Sequence, residues 1–525
     1  MKRMKKIMAL MLAAIMMMAM SVTAFAAEGA GTHTLTVNAK GGQDLKGQTI
    51  NLYKLFDVTE SGEGQNKNYA YTVNETYKKA LASVLNIDET SKDEDFAAAV
   101  TKLGADNTTG VQNFANTFTT KALEGKLAAT ATSGKITEDS NKISYTFNNL
   151  TAGYYLVYVT GGKEIQSSLV TVDADTTTVD LKTEAPSIEK KADKTTVNIG
   201  DVVTYTVNGS IPDTTGYDQY QYIIHDELST GLDFVNDAKG AALGEAATTV
   251  NVTVAFGSGV TDAGTAPTSA KLDDTNKRKM SLDLSEWVRA NQTNNKGKEF
   301  TVTYYAKVNK NAVVTEKNKA QLEYGNEPGE TTTTTPSEVK TPTYPLDILK
   351  VKKDSNPEEI LAGAHFTLYA STTEGTIDES KPIKVTKDED GKYSYAADQA
   401  STDPSVITDM VTVATKFEGT GYNLHINGLA AGTYYLKETK APEGYNKLTD
   451  AIKVTITKST TADENDWTLT VDKRTVDGKI VKVENSTGSL LPSTGGRGAI
   501  AFSVIAALLV FGVAVSFIRD KRKEA

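Results

Sequence analysis

The sequence predicts a mainly β protein, built as tandem β-sandwich domains with a helical insertion in the first. Three observations carry this prediction. Short runs of alternating apolar and polar residues, rich in Val, Thr and Tyr, recur through residues 35–485, with Gly-, Asn-, Asp- and Thr-rich connections between them. Within that pattern, residues 77–85, 95–103 and 111–123 carry apolar residues at helical spacing instead. The chain of 525 residues is also too long for one core and divides into about three domains.

In chain order, the first segment is a leader. Lys2, Arg3, Lys5 and Lys6 precede an apolar stretch over 7–20, and Ala24-Phe25-Ala26 is a small-x-small cleavage site. Residues 1–26 read as a secretory signal peptide, too short in its apolar run for a membrane span. The first domain, 27–182, opens on strands around Leu35 and Val37, then Ile50 to Tyr53. The helical insertion follows, and strand character returns over 143–147, 154–159 and 168–181. The second domain, 183–342, has alternating segments at 202–207, 222–224, 250–256, 300–308 and 320–324, the pattern of a β-sandwich. Its five threonines, 331–335, read as an extended linker or outer loop ending at Pro336. The third domain, 343–486, has strands at 366–368, 383–385, 424–426, 433–438, 452–456 and 467–471.

The tail has three parts. Leu491-Pro492-Ser493-Thr494-Gly495 lies in a short segment, 487–496. Residues 497–525 hold an apolar run over 499–518, about 20 residues and so long enough to span a bilayer. They end in Arg519, Lys521, Arg522 and Lys523, a basic cluster that favours the cytoplasmic side.

Composition excludes several function classes. The formal net charge is −10, and removing the leader and the segment after Thr494 brings the mature part near −17. Such a balance argues against a nucleic-acid partner and suits a soluble, self-repelling surface protein. With no cysteine in an exported chain, disulfides, thiol catalysis and Cys-based metal sites are excluded. The four histidines, His33, His225, His365 and His425, are too scattered to suggest a metal site, and no cofactor is expected. The acidic turn Asp388-Glu389-Asp390-Gly391 reads as a solvated turn rather than a calcium loop.

The tail resembles the cell-wall sorting signal of Gram-positive surface proteins: LPxTG, span, basic stop. That resemblance implies cleavage between Thr494 and Gly495 by a sortase, transfer of the Thr carbonyl to an amine, and only transient membrane insertion. A second resemblance lies in Tyr434-Tyr435-Leu436-Lys437-Glu438-Thr439-Lys440-Ala441-Pro442-Glu443-Gly444-Tyr445, which matches the E box of Gram-positive pilins, YxLxETxAPxGY. Leu361-Ala362-Gly363-Ala364-His365-Phe366 is similar to the LAGAxF turn of collagen-adhesin B-type (CnaB) domains. The resemblance implies immunoglobulin-like sandwiches in which a Lys on the first strand and an Asn on the last form an intramolecular isopeptide bond assisted by a buried acid. In the third domain these are Lys350, Asn485 and Glu438.

The chemistry asks for that combination. Burial lowers a Lys pKa and raises that of a carboxylic acid, so the neutral amine can attack a carboxamide while the protonated acid polarises its oxygen and shuttles protons. Strand alternation puts Ile348 with Lys350 on one face and Leu436 with Glu438 on one face. The second domain, in the order of its motifs, resembles the isopeptide-forming second domain of fimbrial major subunits, of collagen-adhesin A (CnaA) type. Alternation selects Lys190, Asp226 and Asn318 there, with Lys191 and Glu227 on the opposite, solvated face. In the first domain Leu150 to Tyr158 echoes the E-box strand, but its acid position is apolar or aromatic, and no isopeptide bond is expected.

The leading functional reading is a major (backbone) pilin polymerised by sortase. Its acceptor amine is expected at the end of the first domain. The usual YPK motif does not occur, and Lys182 is the candidate, against the alternative of an ordinary linker lysine. Expected partners are a pilus-specific class C sortase, a housekeeping sortase, identical subunits, minor pilins, peptidoglycan and host surface receptors. The rival reading is a monomeric wall-anchored adhesin of the same domains. No enzymatic turnover site is recognisable, since the triads act once and are consumed.

Overall fold

A computed structural model describes residues 31–487, apart from 42, 62–67, 107, 138–142, 161–164, 166, 174, 183, 215–218, 261 and 326–330. The leader, the Leu491 to Gly495 motif and the apolar run over 499–518 lie outside the described residues. Among the described residues no helix is long and apolar enough to cross a membrane. The chain forms two compact units that divide between Pro342 and Thr343.

The first unit holds four sheets. Residues up to 180 make a three-stranded sheet, in which His33–Asn38 lies between Ser144–Leu150 and Thr176–Asp180, and a five-stranded sheet centred on Thr49–Ser61 and Gly153–Val159. The strand Thr49–Ser61 is buried on both faces from Leu52 to Phe56, where apolar residues stand on either side of Lys54. Ile50, Leu52 and Val157 pack with Leu35, Val37 and Phe147 between the sheets. Tyr53, Phe56 and Leu156 pack on the other side against Tyr77, Leu81, Phe96, Phe114 and Phe118 from the helical insertion. Its helices are Lys78–Leu85, Asp93–Asp106 and Thr108–Glu124. The first ends at Asn86 in the left-handed conformation, where the backbone N–H caps Ala82 O. The second gathers Asp93, Glu94 and Asp95 at its positive end.

Residues 189–340 form the other two sheets. One orders Leu232–Val235, Glu299–Val308, Val202–Ser210 and Glu189–Ala192, with Thr253–Phe256 also paired to Glu299–Val308. The other is centred on Gln221–Leu228 between Lys279–Asp283 and Lys317–Gly325. Strict alternation of burial along these strands gives each sheet one core face. Three details differ from the sequence expectation. Residues 331–335 are not simply a linker: Thr331–Thr333 pairs with Lys317–Gly325 as an added edge strand, a role suited to β-branched residues. Residues 168–181 break into two strands, Ser168–Val172 and Thr176–Asp180, which belong to different sheets. A helix, Ser285–Asn295, stands where the polar sequence suggested only a connection. Its Asn291 is buried because the side-chain amide donates to Ala263 O and Trp287 O.

The second unit is a sandwich of two sheets. In one, Tyr344–Lys352 lies between the antiparallel Leu424–Leu429 and the parallel Ile480–Asn485. The other is centred on His365–Ser371, Gly432–Lys440 and Ile452–Thr457. The mainly β class with one helical insertion is therefore the observed one.

Candidate functional site

Two clusters each bury a lysine, an acid and an asparagine together. In residues 189–340, Lys190 is 4 % exposed, Asp226 2 % and Asn318 0 %. Each is placed by strand register. Lys190 pairs with Val207 on one sheet. Asp226 pairs with Ala320, and Asn318 with Leu228, on the facing sheet. The Lys190 ammonium nitrogen lies 2.5 Å from Asp226 Oδ2. It also lies over the rings of Tyr205 and Tyr304, 4.8 and 4.7 Å from their centroids. Burial pushes the Lys190 pKa down against the opposing charge of Asp226, and pushes the Asp226 pKa up against that of Lys190. Both shifts favour the amine and the acid over the ion pair. Asn318 Oδ1 has no hydrogen-bond partner among the described residues, so the carboxamide oxygen is open to a protonated acid.

One member of this cluster was not read from the sequence. Tyr304, fully buried on Glu299–Val308, contacts Lys190 Nζ, donates to Asp226 Oδ2 at 2.5 Å and accepts from Asn318 Nδ2 at 3.3 Å. The alternation Phe300, Val302, Tyr304, Ala306, Val308 already places it inward. What the sequence lacks is any sign that this tyrosine, and not Tyr205, meets the acid.

The second unit gathers Lys350, Glu438 and Asn485, exposed by 0, 1 and 1 %. Lys350 and Asn485 sit on neighbouring parallel strands, where Lys352 pairs with Asn485 and Lys350 with Val483. Glu438 comes from the facing sheet. Its Oε1 lies 3.1 Å from Lys350 Nζ, but without the angles of a hydrogen bond. Its Oε2 accepts from Asn485 Nδ2 at 2.9 Å and from the Leu448 N–H at 2.8 Å. Burial again pushes the Lys350 pKa down, with Glu438 opposing. Asn485 also donates to Asn446 O at 2.5 Å, which leaves its Oδ1 without a partner among the described residues. Asn423, absent from the sequence reading, is buried beside the cluster. Its Oδ1 accepts from the Lys350 N–H at 2.8 Å and its amide donates to Leu361 O and Val413 O, pinning the Lys350 strand to the Leu361 turn.

Lys191 and Glu227 point outward. Lys191 is 58 % exposed beside Glu189, and Glu227 pairs with Lys319 and Lys279. Lys182 is exposed, and its ammonium donates to Gln112 Oε1 at 3.0 Å. In residues up to 180 a different lysine is buried: Lys54, 7 % exposed, contacts Asp57 and donates to Thr151 Oγ1 at 2.6 Å. It lies on the second strand, Thr49–Ser61. Among the described residues no three His, Cys, Asp or Glu side chains converge as metal ligands. In the acidic turn, Asp388 accepts from Ser394, and Glu389 and Asp390 pair with Lys392 and Lys387.

Part of the second unit matches a known domain family. Residues 347–470 match the SpaA prealbumin-like fold domain. That span includes Lys350 and Glu438 and stops short of Asn485. No curated protein matches the chain in sequence. Among solved structures, the major pilin SpaA of Corynebacterium diphtheriae aligns at 19 % identity over 87 % of this chain and 100 % of its own, with a TM-score of 0.42. The full-length major pilin SpaD of the same organism aligns at 17 % identity over 89 % and 100 %, with a TM-score of 0.41. The backbone pilin of Streptococcus pyogenes aligns at 17 % identity over 87 % and 99 %, with a TM-score of 0.39.

Proposed function

We propose that the chain is a major pilin subunit of a Gram-positive surface fimbria, stabilised by two intramolecular Lys–Asn isopeptide bonds. The observation that carries this reading is the pair of buried Lys–acid–Asn clusters, one in each unit. A lone buried lysine is rare and costly. Two, each in contact with a buried acid and clustered with a buried asparagine, make sense as reactants. In each cluster the lysine nitrogen attacks the asparagine Cγ, the Cγ–Nδ2 bond breaks, and ammonia leaves. Asp226 and Glu438 assist as acids, and the bonds link Lys190 to Asn318 and Lys350 to Asn485.

Assembly uses the ends of the subunit. A class C sortase cuts the Thr494–Gly495 amide, holds the Thr494 acyl group as a thioester, and passes it to Lys182 Nζ of the next copy. A housekeeping sortase passes the last subunit to peptidoglycan, and minor pilins and host receptors complete the partners. The exposed ammonium of Lys182 suits an acceptor that must enter a sortase.

The test is a Lys182→Ala change in the native host, read as the high-mass ladder of wall extracts. Loss of the ladder is expected. An unchanged ladder removes Lys182 as acceptor, and a wild type without any ladder favours the monomeric adhesin. Intact mass of the mature protein is expected to fall short by two ammonia molecules.

A further inference from the structure

We infer that Tyr304 is a catalytic residue of the Lys190–Asn318 cross-link, a proton relay whose hydroxyl touches both reacting nitrogens and the assisting acid. The inference rests on the isopeptide reading proposed above. Its ground is geometric. The hydroxyl contacts Lys190 Nζ, lies 2.5 Å from Asp226 Oδ2 and 3.3 Å from Asn318 Nδ2, and is fully buried with all three. Among the described residues the other cluster has no such group. There the ring facing the lysine nitrogen is Phe366, at 5.7 Å, and Glu438 itself takes the Asn485 amide hydrogen bond.

The proton balance shows what a relay is for. Lys190 enters as an ammonium and ends as an amide N–H, so it loses two protons. The Asn318 amide nitrogen enters as NH2 and leaves as ammonium, gaining both. In this geometry the Tyr304 hydroxyl accepts a proton from Nζ as it gives its own to Asp226. After attack on Cγ, it turns its proton to Nδ2 and is restored from the acid; the second proton then leaves the newly bonded Nζ by the same route, so the tyrosine and Asp226 both end unchanged. Burial and the Asp226 charge hold the phenol well above its ordinary pKa, so it works as a neutral hydroxyl that exchanges protons and never stores charge. Tyr205 is the natural contrast. Its ring also flanks Lys190, but its hydroxyl faces Thr341 at 3.4 Å.

The experiment follows closure of the bond in the full chain made by cell-free synthesis, counting the tryptic peptide that joins Lys190 to Asn318 over time. Tyr304→Phe is expected to slow closure about 100-fold or more, while Tyr205→Phe leaves it unchanged and Lys350–Asn485 closes normally in both. Wild-type closure in Tyr304→Phe, or equal slowing by the two variants, overturns the relay and leaves Tyr304 a packing residue. If Tyr304→Phe does not fold, the wild-type rate in mixed light and heavy water decides. A curved dependence, from more than one proton in flight, supports the relay, and a linear one removes it. A wild-type chain that never yields the joined peptide overturns the isopeptide reading itself, a result distinct from either of these.

Discussion

The two buried clusters use the same residue types on different strands. In residues 189–340 the lysine stands on one sheet, while the acid and the asparagine stand on the other. A bond there would staple the halves of a sandwich. In the second unit the lysine and the asparagine stand on adjacent parallel strands of one sheet, the first and the last among that unit's described residues, and only the acid crosses over. A bond there would tie the strand by which the chain enters to the strand by which it leaves. The difference also extends to how each acid is held. Asp226 shares its lysine with a phenol, whereas Glu438 is fixed by a backbone N–H and the asparagine amide.

Removing the acids breaks the comparison most sharply. Glu438→Ala and Asn485→Ala should each abolish one bond, so intact mass shows one ammonia lost instead of two. The two variants are not equivalent, however. Asn485→Ala keeps the Lys350–Glu438 contact, whereas Glu438→Ala strands a lysine in the core. The second unit of Glu438→Ala should therefore be less stable than that of Asn485→Ala by about 3–5 kcal/mol, read from denaturant midpoints. The same pair of changes in the first unit, Asp226→Ala against Asn318→Ala, should differ by less, about 1–3 kcal/mol, because Tyr304 remains beside Lys190. Equal gaps would mean that the phenol gives Lys190 no support.

Mechanical extension tests where each bond closes its loop. Residues 319–342 follow Asn318 and lie outside the loop that a Lys190–Asn318 bond would close. Pulling the chain by its ends should release at most these residues from the sandwich formed by residues 189–340, a step of about 80 Å at full extension. The second unit should give no unfolding step, since Lys350 and Asn485 lie on its first and last strands. Asn485→Ala restores a step there, and a step already present in the wild type would show that its unit was never bonded.

Much of this was legible in the sequence because period-2 alternation decides facing at once. It separated Lys190 from Lys191 and Asp226 from Glu227, and the structure buries the first of each pair and exposes or half-exposes the second. Motif and strand pattern located Lys350, Glu438 and Asn485 in the same way. What alternation cannot supply is the partner of an inward side chain. Tyr304 and Tyr205 both point inward and stand opposite each other on paired strands, and only the packing of the facing sheet sets which hydroxyl reaches Asp226. Asn423 was silent for the same reason, since it is satisfied by three backbone partners far apart in sequence. The helix Ser285–Asn295 escaped because its buried polar residues carry no apolar stripe.

The pH dependence of closure sharpens the pairing of amine and acid. Burial depresses Lys190 and raises Asp226, so the reactive form is neutral amine with protonated acid. That form holds the same number of protons as the ion pair. Exchange between the two is thus independent of pH, and the closure rate should be flat through neutrality. It should fall on the acid side, where Lys190 and Asp226 are both protonated, and on the alkaline side, where Asp226 has lost its proton beside a neutral amine. A rate that instead climbs steadily with pH through neutrality would mean that Lys190 loses its proton to water and not to Asp226.

The smallest effect belongs to the outward neighbours, which calibrate the rest. Glu227 accepts from Lys319 at 2.8 Å and lies 3.3 Å from Lys279, and the Lys319 hydrogen bond holds its carboxylate below the ordinary value. A depressed folded-state pKa contributes stability above the unfolded value, near 4.3 for glutamate, that is lost as pH falls through the folded one. The pair sits at the surface, so its worth is about 0–1 kcal/mol. Glu227→Gln should therefore flatten the acid limb of the stability curve by that amount at most and leave the yield of the Lys190–Asn318 peptide unchanged. Lys191→Ala should do neither. If either variant stopped the cross-link, the assignment of Lys190 and Asp226 by strand face would fail, because side chains on the solvent side have no path to Asn318.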